Sequence, residues 1–225
     1  MIMQYVFMLH TIKIREGEYM DKVIITISRE YGSGGRIIGE KVAEMLGIPF
    51  YNHNLIDMIA HESGLDKDYI SQWQERVSSP MLWGWDAAIA GFIPEMTAGY
   101  YSNELKMFEA QSKIIRDLAE KGSCVIVGRC GGYLLKNDPS CLRVFIYSDK
   151  ESRINRILEE YDAETLDQAE DMLKSVDKSR AAYHEKYTLT EWGDYLNYDI
   201  ALDSKLGIDE CAKIIVEAAK AKINK

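Results

Sequence analysis

The segment Arg29 to Ile37 reads REYGSGGRI and sets Gly32, Ser33, Gly34 and Gly35 directly ahead of Arg36. Adjacent glycines leave backbone N–H groups unshielded. Such a loop at the mouth of a helix makes a cradle for phosphate, with the positive end of the helix behind it. A second set of candidates is cationic. Arg153 and Arg156 share one face of any helix that carries them, and Asp177, Lys178 and Arg180 follow on what reads as the next helix. Arginine clamps suit phosphoryl transfer, because charge spreads over the equatorial oxygens and the protein's task is positioning and neutralisation. A third candidate is Arg129, which follows Gly128 at the end of an apolar run. Each set also has a plainer reading. The glycines would equally let a helix pack on a strand, Asp177 and Arg180 would form an ordinary surface ion pair, and Arg129 would sit in a structural salt bridge.

Set against the phosphate-loop pattern G-x-x-x-x-G-K-[ST], the segment keeps its second glycine. It puts Gly35 where the lysine stands and no hydroxyl where the Mg²⁺-binding Ser or Thr stands. Arg36, Arg29 or Ser33 would then have to supply charge or oxygen nearby, Ser33 being the one protein ligand a magnesium ion could find. His10, His53, His61 and His184 show no zinc-type spacing, so any metal is expected as Mg²⁺ brought by a nucleotide. No G-x-S-x-G elbow is present. The dinucleotide pattern fails because Ile37 occupies its third glycine position.

Positioning these residues requires strands and helices in alternation. Val23 to Ser28 is a short β-branched run that reads as a buried strand entering the glycine loop, and Ile37 to Leu46 recur at helical spacing up to Gly47. Asn52 or Asn54 can cap a helix carrying Leu55, Ile56 and Ile59. Residues 65 to 101 are interrupted by Pro80, Gly84, Gly91, Pro94 and Gly99 and hold three of the four Trp, which fits either an insertion over the substrate or an irregular helical core. A helix is expected from Ser102 to Lys121. Strands follow at Cys124–Gly128, Leu142–Tyr147 and Ile200–Leu202, with helices after Ser148 or Asp149, over Leu166 to roughly Tyr187, and over Ile208–Ile223. Buried-run strands alternating with helices predict a parallel sheet covered on both faces.

A length of 225 residues predicts one domain. With 27 Lys and Arg against 36 Asp and Glu, the net charge of −9 argues against nucleic acid or an anionic membrane as the main partner. Cys124, Cys130, Cys141 and Cys211 lack C-x-x-C spacing and read as reduced thiols of a cytoplasmic protein, Cys130 as a buried and inert one. The apolar start MIMQYVFMLH lacks a basic flank and a cleavage site, and Met20 precedes the first strand. Residues 1–21 are therefore expected to be an extension from an upstream start.

Together, ITISREYGSGGRIIGEKVAEMLGIPFYN (Ile25 to Asn52), VIVGR (Val125 to Arg129), RVFIYSDKESRINRI (Arg143 to Ile157), DKSR (Asp177 to Arg180) and LDSKLGIDE (Leu202 to Glu210) resemble the cytidylate kinase-like branch of P-loop nucleoside-monophosphate kinases. The resemblance covers about residues 22 to 222. It implies a three-layer α/β P-loop NTPase fold over 22–225, with a parallel sheet, helices on both faces, a helical lid at 149–187 and a helical acceptor-side insertion at 65–101. It implies ATP and Mg²⁺, with Gly32 to Arg36 around the donor phosphates and Ser204 and Lys205 in the loop that packs on the adenine. Asn52 and His53 begin the acceptor region and Arg129 resembles the arginine that holds the acceptor. Arg153 and Arg156 look like the lid arginines, and DKSR resembles a D-R-x-R signature with Lys178 replacing an arginine. Gly35 in place of lysine is similar to what this branch shows. Cys130 stands where true cytidylate kinases carry an aspartate, which puts cytosine recognition in question. The implied activity is ATP-dependent phosphoryl transfer to a nucleoside monophosphate such as CMP, in the cytoplasm, with nucleotide and a small acceptor as partners and a homodimer compatible. The open alternative is a non-catalytic nucleotide-binding or regulatory protein that kept the fold.

Overall fold

The computed structural model describes residues 22–52, 55–64, 94–161 and 163–223. His53, residues 1–21 and most of the expected 65–101 insertion lie outside them. Five strands, β1 (Ile24–Arg29), β2 (Phe50–Tyr51), β3 (Cys124–Val127), β4 (Cys141–Tyr147) and β5 (Ile200–Asp203), form one sheet in the order β2-β3-β1-β4-β5. Every pairing is parallel. The described helices are α1 (Gly35–Leu46), α2 (Leu55–Ser63), α3 (Pro94–Lys121), the single turn α4 (Gly131–Leu134), α5 (Lys150–Glu160), α6 (Leu166–Thr188) and α7 (Ile208–Ile223).

The pleat divides the strands between two cores. Ile25 and Ile27 stand level with Val125 and Val127 on β3 and with Leu142 and Val144 on β4. These six pack under α1 and α7, against Ile38, Val42, Leu46, Ile215 and Val216. Ile24, Cys124, Ile126 and Cys141 face the other way, onto Leu55 and Ile59 of α2 and Met107, Ile115 and Leu118 of α3. Ile25, Ile27 and Ile115 are wholly buried, each contributing about 1.5–3 kcal/mol of transfer free energy. The outcome is the expected three-layer α/β architecture. A smaller apolar cluster, Ile154, Ile157, Ala169 and Leu173, closes α5 against α6, with Tyr31 of the glycine loop packed on it.

Two helices differ from the sequence expectation. The helix expected from Ser102 begins at Pro94, in the first-turn position where proline's missing N–H costs nothing. The single turn α4 is hidden in sequence because it opens on Gly131-Gly132, a turn signal.

A polar tie holds the β4–β5 edge. Asp199 accepts from the Arg143 backbone N–H at 2.9 Å, from Arg143 Nη2 at 2.9 Å and from Lys222 Nζ at 3.0 Å. Partial burial pushes the Asp199 carboxyl up, but the bonds from Arg143 and Lys222 outweigh it and bring the pKa down to about 2. A depressed carboxylate adds stability above its unfolded pKa and loses it as pH falls toward the folded value. We expect about 1 kcal/mol, after solvent screening, to disappear between roughly pH 4 and pH 2. Urea unfolding of wild type and Asp199→Asn across that window checks this: the two curves should converge at the acid end.

Candidate active site

In a parallel sheet all carboxyl ends lie on one edge, and a crevice opens where neighbouring strands send their following segments to opposite faces. β1 leads onto the α1 face, whereas its neighbour β3 leads through α4 to the other face, where Leu135 packs. The crevice therefore lies between β1 and β3. The glycine loop flanks it on one side and Arg129 on the other.

The loop bends through two left-handed glycines, Gly32 at φ 73° and Gly34 at φ 76°. A Cβ on Gly32 would stand 2.6 Å from the carbonyl oxygen of Arg153, so the position accepts glycine alone. Gly34 caps α1 with no side-chain hydrogen bond, which leaves the first N–H groups of that helix for an anion. Ser33 is wholly buried and donates its hydroxyl to the Glu30 carbonyl at 2.9 Å, so it offers no surface to a metal ion. Arg36 is exposed and lies 3.7 Å from Glu40 on its own helix.

The α5–α6 hairpin clamps this loop. Arg153, only 6% exposed, donates from Nε to the Tyr31 carbonyl at 2.8 Å, pairs with Asp177 through Nη2 and lies 3.1 Å from Glu30 through Nη1. Asp177 in turn accepts from the Tyr31 N–H at 2.7 Å, so both backbone polar groups of Tyr31 are held from the hairpin. Arg156 donates to the Gly32 carbonyl at 2.6 Å. Arg180 donates to the Arg29 carbonyl at 3.0 Å and stacks over the Tyr31 ring at 5.5 Å. Arg153, Arg156, Asp177 and Arg180 thus meet on the glycine loop. Lys178 lies exposed and forms no ion pair among the described residues.

Across the crevice, Gly128, Arg129 and Cys130 are three successive left-handed residues, at φ 78°, 58° and 54°. Two non-glycine residues in that region cost about 1–3 kcal/mol each, strain of a kind concentrated at functional sites. Gln111 of α3 secures the turn, donating to the Arg129 carbonyl at 3.1 Å and the Tyr183 hydroxyl at 3.0 Å. Burial pushes the Cys130 thiol up to about 12 despite Arg129 beside it; the residue is half-buried rather than the fully buried thiol expected from sequence.

The charge balance inside the crevice is positive. Arg29, Arg129 and Arg180 all have guanidinium pKa values below the ordinary one, burial being the main cause for each, and Arg29 is lowered further by Arg180 and Arg129. The carboxylates nearby are already engaged: Glu30 with Arg153 and the Ser148 N–H, Asp177 with Arg153 and Tyr31, and Asp149 with the α5 N-terminus and Lys205. Among the described residues no acidic, His or Cys cluster forms a metal site.

Ser204 and Lys205 follow β5 on the same edge. Ser204 is buried, and Lys205 pairs with Asp149 at 3.2 Å. Asn52 follows β2, half-buried, its carbonyl accepting from the Leu55 N–H at 3.4 Å. Three participants escaped the sequence reading: Glu30, Gln111 and Tyr183. Their partners lie 18 to 123 positions away, so no local spacing could reveal them.

The chain is similar to several solved structures. An uncharacterized protein from Eubacterium ventriosum is 29% identical, with a TM-score of 0.65 over 88% of this chain and 98% of its own. TT1252 from Thermus thermophilus is 13% identical, with a TM-score of 0.50 over 90% and 98%. Shikimate kinase from Bacteroides thetaiotaomicron is 15% identical, with a TM-score of 0.49 over 87% and 97%. No curated protein matches the sequence. The model of the cytidylate kinase-like family matches residues 24–206, a span that takes in the glycine loop, Arg129, the hairpin arginines and the Ser204–Lys205 loop. With fold, loop and arginines all inside that span, the chain belongs to the cytidylate kinase-like family.

Proposed function

We propose that the protein is an ATP-dependent phosphotransferase whose acceptor is a nucleoside monophosphate of the cytidylate type. The observation that carries this reading is the gathering of Arg129 and Arg180 around Arg29, at the end of the strand that leads into an uncapped, glycine-lined helix N-terminus. Such an arrangement binds two anionic groups side by side and has no need of a protein nucleophile.

In the reaction, an acceptor oxygen attacks the γ-phosphorus of ATP, the bond to the β–γ bridging oxygen breaks, and ADP departs with that electron pair. The attacking phosphate oxygen of the acceptor is ionised near neutral pH, and any proton it still carries passes to solvent. The free N–H groups at the start of α1 would hold donor phosphate oxygens, and the guanidiniums at the crevice would neutralise charge spreading onto the equatorial oxygens. Arg153 and Asp177 act one step back, fixing the Tyr31 backbone and with it the loop's shape. Magnesium is expected with the nucleotide. The described residues do not themselves form a site for it, since the neighbouring carboxylates are engaged and Ser33 is buried. Among the described residues no helix is long and apolar enough to cross a membrane. The cysteine spacing of the sequence is what supports placing the reaction in the cytoplasm.

The test is phosphoryl transfer from ATP and Mg²⁺ across CMP, dCMP, UMP, AMP and GMP, following ADP and phosphorylated product together. ADP release that depends on CMP or a near relative is the expected result. Nucleotide binding without transfer to any acceptor would overturn it and favour a binding protein on the kinase fold.

A further inference from the structure

The loop lacks the lysine of a phosphate-binding pattern, and the structure shows what stands in its space. With Gly34 as the second glycine of G-x-x-x-x-G-K-[ST], position 35 is the lysine and position 29 the first glycine. Here the two are exchanged in kind: glycine stands at 35 and a cation at 29. A Cβ built on Gly35 would lie 2.5 Å from Cβ of Arg29 and 3.0 Å from its Cγ, so the stem of Arg29 runs through the volume that a side chain at 35 would need. Further out, a Cβ on Gly128 would collide with Nη1 of Arg29, so the guanidinium lies against the β3 end of the crevice, next to Arg129.

Arg29 is also placed where a purely structural arginine would be costly. It falls in register with Ile25 and Ile27, both wholly buried, on the inward face of the central strand. Its guanidinium has no hydrogen-bond or carboxylate partner among the described residues, while its own carbonyl is held by a second arginine, Arg180. Arg29 is half-buried, and a cation so placed beside Arg129 and Arg180 gains most from an anion that enters the crevice. The guanidinium pKa of Arg29, lowered first by burial and then by Arg180 and Arg129, agrees with this crowding.

We propose that Arg29 is the cation of the phosphoryl site: its guanidinium, reaching past Gly35 and Gly128, binds the donor's terminal phosphate oxygens in place of a lysine at position 35. The proposal rests on the phosphotransferase reading for its catalytic meaning, but its geometry concerns polyphosphate binding and can be tested without turnover.

Calorimetry with inorganic tripolyphosphate would compare wild type with Arg29→Gln, Arg29→Lys and the exchange variant Arg29→Gly/Gly35→Lys. Arg29→Gln should bind at least about twentyfold more weakly, and Arg29→Lys should fall between it and wild type. The exchange variant removes the obstructing stem and returns a cation from position 35, so it should bind within about fivefold of wild type. A folded Arg29→Gln that binds within twofold of wild type overturns the proposal. Should Arg29→Gln fail to fold, a folded exchange variant with lost binding overturns it instead, and one with binding restored supports it. In the transfer assay, Arg29→Gln should lose about 10²–10³ in kcat/KM, with much of that recovered in the exchange variant. A wild type that transfers to no acceptor would defeat the phosphotransferase reading while leaving the tripolyphosphate result to decide on Arg29.

Discussion

Arg153→Ala is expected to cost about 3–5 kcal/mol of stability, the range for removing one partner of a buried ion pair. The side chain is 6% exposed and serves three acceptors at once: Asp177, Glu30 and the Tyr31 carbonyl. Its loss takes the paired cation from two half-buried carboxylates, leaving Glu30 with the Ser148 N–H and Asp177 with the Tyr31 N–H and Arg180 at 4.0 Å. Burial already pushes the Glu30 carboxyl up, so without Arg153 it would take a proton more readily still. Urea unfolding measures the loss. Pairing the variant with Asp177→Ala should recover part of it, giving a coupling of about 1–3 kcal/mol, because the second change removes the stranded charge. Turnover should fall with the loop's rigidity, whereas Lys178→Ala on the same hairpin should leave stability within about 0.5 kcal/mol of wild type. A loss under about 1 kcal/mol for Arg153→Ala would show that the loop does not depend on this clamp.

Gly32→Ala is the second large effect. Two penalties add: about 1–2 kcal/mol for an L-residue held at φ 73°, and about 1–3 kcal/mol for a methyl placed 2.6 Å from a backbone carbonyl. We expect a total of about 3 kcal/mol or more, and at least a hundredfold loss of turnover, since the strained loop relaxes by moving its phosphate-facing N–H groups. Gly47→Ala supplies the comparison. It has a similar φ, 63°, but nothing within 4 Å of the added Cβ, so only the conformational penalty of about 1 kcal/mol should appear. Equal losses at the two positions would mean that contact with the α5 backbone is not what requires glycine in the loop.

Much of the scaffold was legible because buried parallel strands are short apolar runs closed by turn residues. β4 and β5 end within a residue of where their runs end, and α7 spans Ile208–Ile223 as its periodicity says. The end of β1 was less legible. The apolar run stops at Ser28, but the ladder with β4 continues to Arg29, opposite Ile146. A polar residue paired into a central strand breaks the hydrophobic rule by which strands are read, and in this chain the exception is the residue with the most unusual surroundings. The hairpin arginines were legible as one helix face. Their partners were not, because Asp177 reaching the Tyr31 backbone is a contact across 146 positions that only the folded chain creates. His53 and residues 65–93 lie outside the described structure.

The same topology governs when the site can come into being. β1 is made early, yet its two neighbours in the sheet are β3 and β4, and the nearer of them, β3, ends only at Val127. At roughly 5–20 residues per second, the roughly 100 residues between them mean a wait of roughly 5–20 s for the nascent chain. Pairings this distant in sequence make folding slow. The central strand must spend that interval shielded within the young chain or by a chaperone, and the phosphate cradle takes shape only after α6 has emerged to grip Tyr31.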